Sequence, residues 1–161
     1  VPEVDPMAVE TCLQILRVSS EMVAALDAHY ERNGLSRGRF RILINLFREP
    51  DAPLTPAELS DRTGVTRATV TGLLDGLERD GLVKRMPHPE DRRMMLVHIT
   101  ERGTDFMESF LPGHYTRIAE LMRNLGDAER NNLVKFLLKV EEGIKTLFAD
   151  ESPESQLKGK K

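Results

Sequence analysis

Residues 54–85, LTPAELSDRTGVTRATVTGLLDGLERDGLVKR, decide the fold. Thr55-Pro56-Ala57-Glu58 places a hydroxyl at a cap, proline at the first helical position and a carboxylate three residues after the cap, which together open a helix. Gly64 closes that helix two residues before Thr66, whose hydroxyl can cap a second one. Val70, Leu73, Leu74 and Leu77 give the second helix a single apolar face, and Gly81 ends it. Residues 83–86 and 94–99 are β-rich runs on either side of a polar loop, 87–93, the pattern of a hairpin with a long tip. Upstream, Ser36 caps a helix through Phe47 with Phe40, Leu43, Ile44 and Phe47 inward, and Pro50 and Pro53 stop it. The sequence predicts a mainly α fold with a small β-hairpin wing, a winged helix-turn-helix over residues 35–101.

Long helices are expected on both sides of it. In residues 7–33, Val9, Cys12, Leu13, Leu16, Val23, Leu26 and Tyr30 recur at the spacing of one helix face, and Asn33-Gly34 ends the run. In residues 102–149, Phe106, Phe110, Ile118, Leu121, Met122 and Leu125 form a second stripe, which Pro112-Gly113 should kink or interrupt. Leu133, Phe136, Leu137, Val140, Ile144, Leu147 and Phe148 form a third. Residues 150–161, polar and rich in lysine, read as a disordered tail. A winged domain of about 70 residues cannot cover three such stripes, so either a second copy covers them or the helices wrap the winged domain of a monomer.

Composition narrows the function classes. The 161 residues suit one domain of ordinary size. A single cysteine excludes an intramolecular disulfide, and no run of 18 apolar residues suggests a membrane span. The N-terminal VPEVDPMAVE is acidic and lacks the basic flank and apolar core of a signal peptide, so a soluble, cytoplasmic protein without a membrane partner is expected. Net charge is −3, but residues 60–100 carry 7 Lys/Arg against 6 Asp/Glu, whereas residues 1–59 and 101–161 are both acidic. No glycine-rich phosphate loop, nucleophile elbow or paired-carboxylate constellation is present, which argues against an enzyme and requires no cofactor. His29, His88, His98 and His114 lie in different elements without a ligand spacing, so no metal site is expected.

The second helix of the motif has the surface a nucleic-acid reader needs. With its leucines buried, Thr66, Arg67, Ala68, Thr69, Thr71 and Gly72 lie at its outward N-terminal end, small, polar or basic. A helix entering the major groove, roughly 12 Å wide, must be free of bulky apolar groups at that end. The same arc also fits a plain solvated helix face.

The segment PHPEDRRMMLVHITERG, residues 87–103, resembles the wing of the MarR family of bacterial transcription regulators, and residues 54–85 resemble that family's helix-turn-helix in register. The specific part of the resemblance covers about residues 35–103, with Asp91-Arg92-Arg93 its most diagnostic piece. It implies a homodimer built by the terminal helices and a partner of double-stranded DNA carrying a pseudo-palindromic operator. It also implies repression relieved by a small aromatic or phenolic ligand. At the wing it implies that Arg93 enters the minor groove, oriented by Asp91, with Arg92 and His88 beside it. A minor-groove guanidinium meets strongly negative potential. Arg62, Lys84 and Arg85 are the expected phosphate contacts, and Arg17 and Arg37 are the cations that could balance an anionic ligand.

Two other readings stand beside this one. A winged-helix protein-interaction module would bind no DNA, although it has no use for Asp91, Arg92 and Arg93 beside a groove-compatible helix. A redox-sensing regulator would use Cys12, because one subgroup of the family senses organic peroxides through a first-helix cysteine. That subgroup surrounds the thiol with tyrosines, and the matching positions here are Leu16, Leu26 and Arg37. Cys12 lies on the apolar stripe, so a buried structural thiol is expected.

Overall fold

The computed structural model describes residues 5–91 and 93–150, so residues 1–4, Arg92 and residues 151–161, all but the first residue of the expected disordered tail, lie outside the described residues. Six helices and one hairpin follow in the order α1 Pro6–Arg32, α2 Arg37–Arg48, α3 Pro56–Thr63, α4 Arg67–Arg79, β1 Val83–Pro87, β2 Met95–Ile99, α5 Glu101–Leu121 and α6 Asp127–Asp150. The chain divides into two units, one ending at Thr116 and the other beginning at Arg117. None of the described helices is long and apolar enough to cross a membrane.

In the first unit the caps act where the sequence puts them. Thr55 and Glu58 form a reciprocal capping box, Thr66 accepts from the backbone N–H of Thr69, and Ser36 accepts from that of Arg39. The backbone N–H of Thr55 and then its hydroxyl, both donating to the Glu58 carboxylate, hold that carboxyl below its ordinary range. Val70, Leu74 and Leu77 of α4 are fully buried, and Leu73 packs against the core from its edge.

Helix α2 is more central than its sequence pattern predicts. Ile42 and Leu46 are buried along with Leu43, while Phe40, Ile44 and Phe47 are only partly covered. The reason is packing on several sides at once: α2 contacts α1, α3, α4 and β2. β1 and β2 pair antiparallel with Arg85 opposite Val97, and Leu54 exchanges both backbone hydrogen bonds with Val97, adding a one-residue third rung.

Two expectations are corrected. Pro112 does not interrupt α5, which runs unbroken from Glu101 to Leu121. Pro112 and Glu108, the residue whose carbonyl loses its i+4 donor, are both exposed, which is where a proline is tolerated inside a helix. Cys12 is exposed in the single chain, as are Val9, Leu13, Leu16 and Val23. Only the last turns of α1, from Leu26 to Tyr30, join the core of this unit.

The histidines that the sequence leaves scattered come together in one case. His29 of α1 stacks on His114 of α5 with ring centroids 5.7 Å apart and planes at 14°. Phe40, Phe110 and Tyr30 surround them. Among the described residues no three His, Cys, Asp or Glu side chains are grouped to hold a metal ion.

In the second unit, the N–H of Gly126 donates to Glu129 and Arg130 donates to the Met122 carbonyl, fixing the start of α6. Leu133, Phe136, Leu137, Val140, Ile144, Leu147 and Phe148 are exposed in the single chain.

Candidate DNA-binding interface

The turn between α3 and α4 is closed from both sides. Gly64 takes a left-handed conformation at φ 66°, which lets the chain reverse without a Cβ clash. The Ser60 hydroxyl donates to the Val65 carbonyl at 2.6 Å, tying the turn back to α3. Thr66 then starts α4, its hydroxyl 2.9 Å from that of Thr69 and 3.3 Å from the Thr69 N–H. Thr66, Arg67, Ala68, Thr69, Thr71 and Gly72 are all exposed, and they share the first two turns of α4. The Thr71 hydroxyl donates to the Arg67 carbonyl, so its exposed oxygen keeps only its acceptor capacity for a partner. Among the described residues the Arg67 guanidinium makes no hydrogen bond or ion pair.

At its far end α4 is braced against α2. Arg39 pairs with Asp80 and donates to the carbonyls of Gly34 at 3.4 Å and Gly76 at 3.5 Å. This pairing holds the Asp80 carboxyl below its ordinary range.

The wing is shaped by side chains acting on the backbone. Nδ1 of His88 accepts from the N–H groups of Glu90 and Asp91, so the imidazole organises the turn. The Asp91 carboxylate accepts from the backbone N–H of Arg93 at 3.0 Å. The sequence expectation has that carboxylate orienting the Arg93 side chain; in the structure it fixes the turn from which Arg93 projects, an Asx-type contact. Arg93 is exposed and lies beside Thr55, Pro56 and Ala57 at the start of α3. Arg92 falls outside the described residues.

The basic residues expected at phosphates divide. Lys84 is exposed and makes no ion pair among the described residues, and Arg62 sits 3.7 Å from Glu49 in an open pair. Arg85 is different. Its side chain reaches Asp75 at 2.7 Å, Glu78 at 3.0 Å and the Thr71 carbonyl at 3.2 Å, all on α4. No periodicity in the sequence marks Asp75 or Glu78 as its partners, because the contact is between a strand and a helix 7 to 10 residues earlier.

The cations proposed for an anionic ligand are matched already. Arg17 pairs with Glu21 at 3.0 Å and donates twice to Gln14. Arg37 grips Asp27 with two nitrogens, which lowers the Asp27 carboxyl below its ordinary range.

The arrangement is that of known proteins. The profile of the MarR family matches residues 33–94. The HTH-type transcriptional repressor YetL of Bacillus subtilis is 42% identical over 83% of this chain and 80% of its own. The structure of a mutant MarR from Escherichia coli complexed with operator DNA aligns at TM-score 0.71 and 26% identity, covering 85% of this chain and 99% of that one. Sco3205 from Streptomyces coelicolor, solved in complex with DNA, shares the fold at TM-score 0.79 with 21% identity, over 88% of this chain and 94% of that one. A capped helix pair, a wing carrying Asp91 and Arg93, and this degree of identity establish that the chain belongs to the MarR family of transcriptional regulators.

Proposed function

We propose that the protein is a homodimeric repressor of the cytoplasm that reads a pseudo-palindromic operator in double-stranded DNA. The observation that carries this reading is the exposed N-terminal face of α4, with the Arg67 guanidinium unpaired among the described residues, set on the same small domain as the exposed Arg93. Arg67 and Thr71 read base edges in the major groove, Arg93 enters the minor groove, and Lys84 and Arg62 serve phosphates. The identity to a repressor supports the sign of the regulation.

The terminal regions, residues 7–33 and 102–149, form the dimer. Leu13, Leu16, Phe136, Leu147 and Phe148 each expose more than half of their surface in the single chain. Burying a side chain of this size stabilises by roughly 1.5–3 kcal/mol, so a second copy gains a tight interface. Two copies then place two recognition helices about one turn of DNA apart, near 10 base pairs.

Release by a small aromatic or phenolic ligand completes the reading. An anionic ligand at Arg17 or Arg37 would exchange with Glu21 or Asp27, and competition of candidate aromatic acids against bound operator measures that release.

Titration of matched and mutated operators at two salt concentrations tests the division of labour. Arg93→Ala weakens every duplex and reduces the salt slope by about one, because one phosphate-field contact is lost. Arg67→Ala relaxes preference at one position of each half-site, by about 1–3 kcal/mol. Asp91→Ala acts as a milder Arg93→Ala, since it loosens the turn without removing the guanidinium. Unchanged affinity in Arg93→Ala overturns the wing assignment.

A further inference from the structure

Arg85 is the last residue of β1 that the body of the domain holds. Leu82 and Val83 are buried before it, and Met86 and Pro87 are exposed after it. Its guanidinium bridges Asp75 and Glu78 across one turn of α4 and also meets the Thr71 carbonyl, while its backbone N–H donates to Glu78 at 3.1 Å. Four bonds from one residue therefore join the recognition helix to the strand that carries the wing. Its side chain is 22% exposed, which leaves little of it for DNA.

Geometry and charge both matter here. Any tilt of β1 at Arg85 is carried outward to the tip, where Arg93 must enter one groove while Arg67 enters another. Asp75 lies four residues after Thr71 on the same side of α4, so its carboxylate would repel the phosphates flanking that helix. A planar guanidinium can hold two carboxylates and a carbonyl at once, which an ammonium cannot do in fixed orientation.

We propose that Arg85 is a positioning residue for operator recognition: it sets the angle between α4 and the wing, and neutralises Asp75 and Glu78, without itself contacting a phosphate. This inference rests on the DNA-binding reading above and names a determinant of its specificity.

The test compares the full chain and its variants on an operator recovered from a random pool and on a scrambled duplex of the same composition, with the melting temperature recorded beside each affinity. In Arg85→Gln, operator affinity falls by about tenfold, the cost of one mismatched base pair. Affinity for the scrambled duplex falls much less, by the repulsion of the uncovered carboxylates alone, so the ratio of operator to scrambled affinity drops. Equal weakening of both duplexes with a slope reduced by about one would make Arg85 a phosphate ligand and overturn the proposal. The double variant Asp75→Asn, Glu78→Gln decides the matter even if Arg85→Gln fails to fold. It removes two negative charges and frees Arg85, which tightens both duplexes under either role, so the ratio of the two affinities decides. Positioning lowers the preference for the operator, whereas a phosphate role leaves that preference unchanged and overturns the proposal. Wild-type protein that does not distinguish the two duplexes overturns the DNA-binding reading itself, and this inference with it.

Discussion

The carbonyl oxygen of Leu82 occupies the space that a Cβ on Gly103 would need, and Cγ1 of Ile99 would lie 2.8 Å from the same atom. The first turn of α5 thus rests directly on the chain that leads from α4 into the wing. Thr100 completes the junction: its N–H donates to Leu82, its hydroxyl donates to Gly81 at 2.7 Å and accepts from the Gly103 N–H at 3.0 Å.

Gly103→Ala is therefore expected to destabilise, by about 1–3 kcal/mol of overpacking, although alanine is the better helix former by about 1 kcal/mol. Gly113→Ala on the same helix meets nothing within 4 Å and is expected to stabilise. Urea midpoints of the two variants should move in opposite directions. Movement in the same direction would mean that the α5 junction is looser than described.

Stability should fall with acid over the histidine range. Burial, and then the neighbouring His29, depress the pKa of His114 below its ordinary value near 6.5. Its neutral form is the one that folds, so the unfolded chain binds the proton first and stability is lost as pH falls through about 6.5 toward the folded value. His98, depressed by burial and Lys84, acts in the same sense. Asp27, Glu58 and Asp80 have lowered values, and what they contribute is lost only below the ordinary carboxylate range near 4. Thermal melts of His114→Phe, whose ring suits the stack with Phe40 and Phe110, should lose less between about pH 7 and pH 5 than those of the native chain. An identical pH slope in the two proteins would remove His114 from this account.

The exposed stripes predict the oligomeric state. Light scattering at micromolar concentration should give twice the mass of one chain. Leu137→Glu, which places a carboxylate among Leu133, Phe136, Val140 and Ile144, should lower that mass to one chain while the winged domain keeps its fold. A native protein of single-chain mass would contradict the assignment of α1 and α6 to the dimer.

Much of this architecture was legible in the sequence because local chemistry fixes it. The Thr55–Glu58 box, Gly64 and Thr66 each act within four residues, and the leucines of α4 face one way. The burial of Ile42 and Leu46 was not legible, since the apolar Phe40, Ile42, Leu43, Ile44, Leu46 and Phe47 offer two overlapping stripes and the neighbouring elements decide which is covered. The pairing of His29 with His114 and the grip of Arg85 on Asp75 and Glu78 depend on tertiary approach. Asp91 was legible as a wing residue, but not its choice of the Arg93 backbone over the guanidinium. The backbone N–H and the guanidinium of Arg93 are both donors, and the sequence does not say which of them Asp91 meets.

Selection of bound duplexes from a random pool tests the central claim most directly. The account predicts enrichment of one pseudo-palindromic sequence whose half-site centres lie about 10 base pairs apart, with A·T preference where the two wings approach the minor groove. Recovery of unrelated sequences with no common half-site, or of no duplex at all, would contradict it.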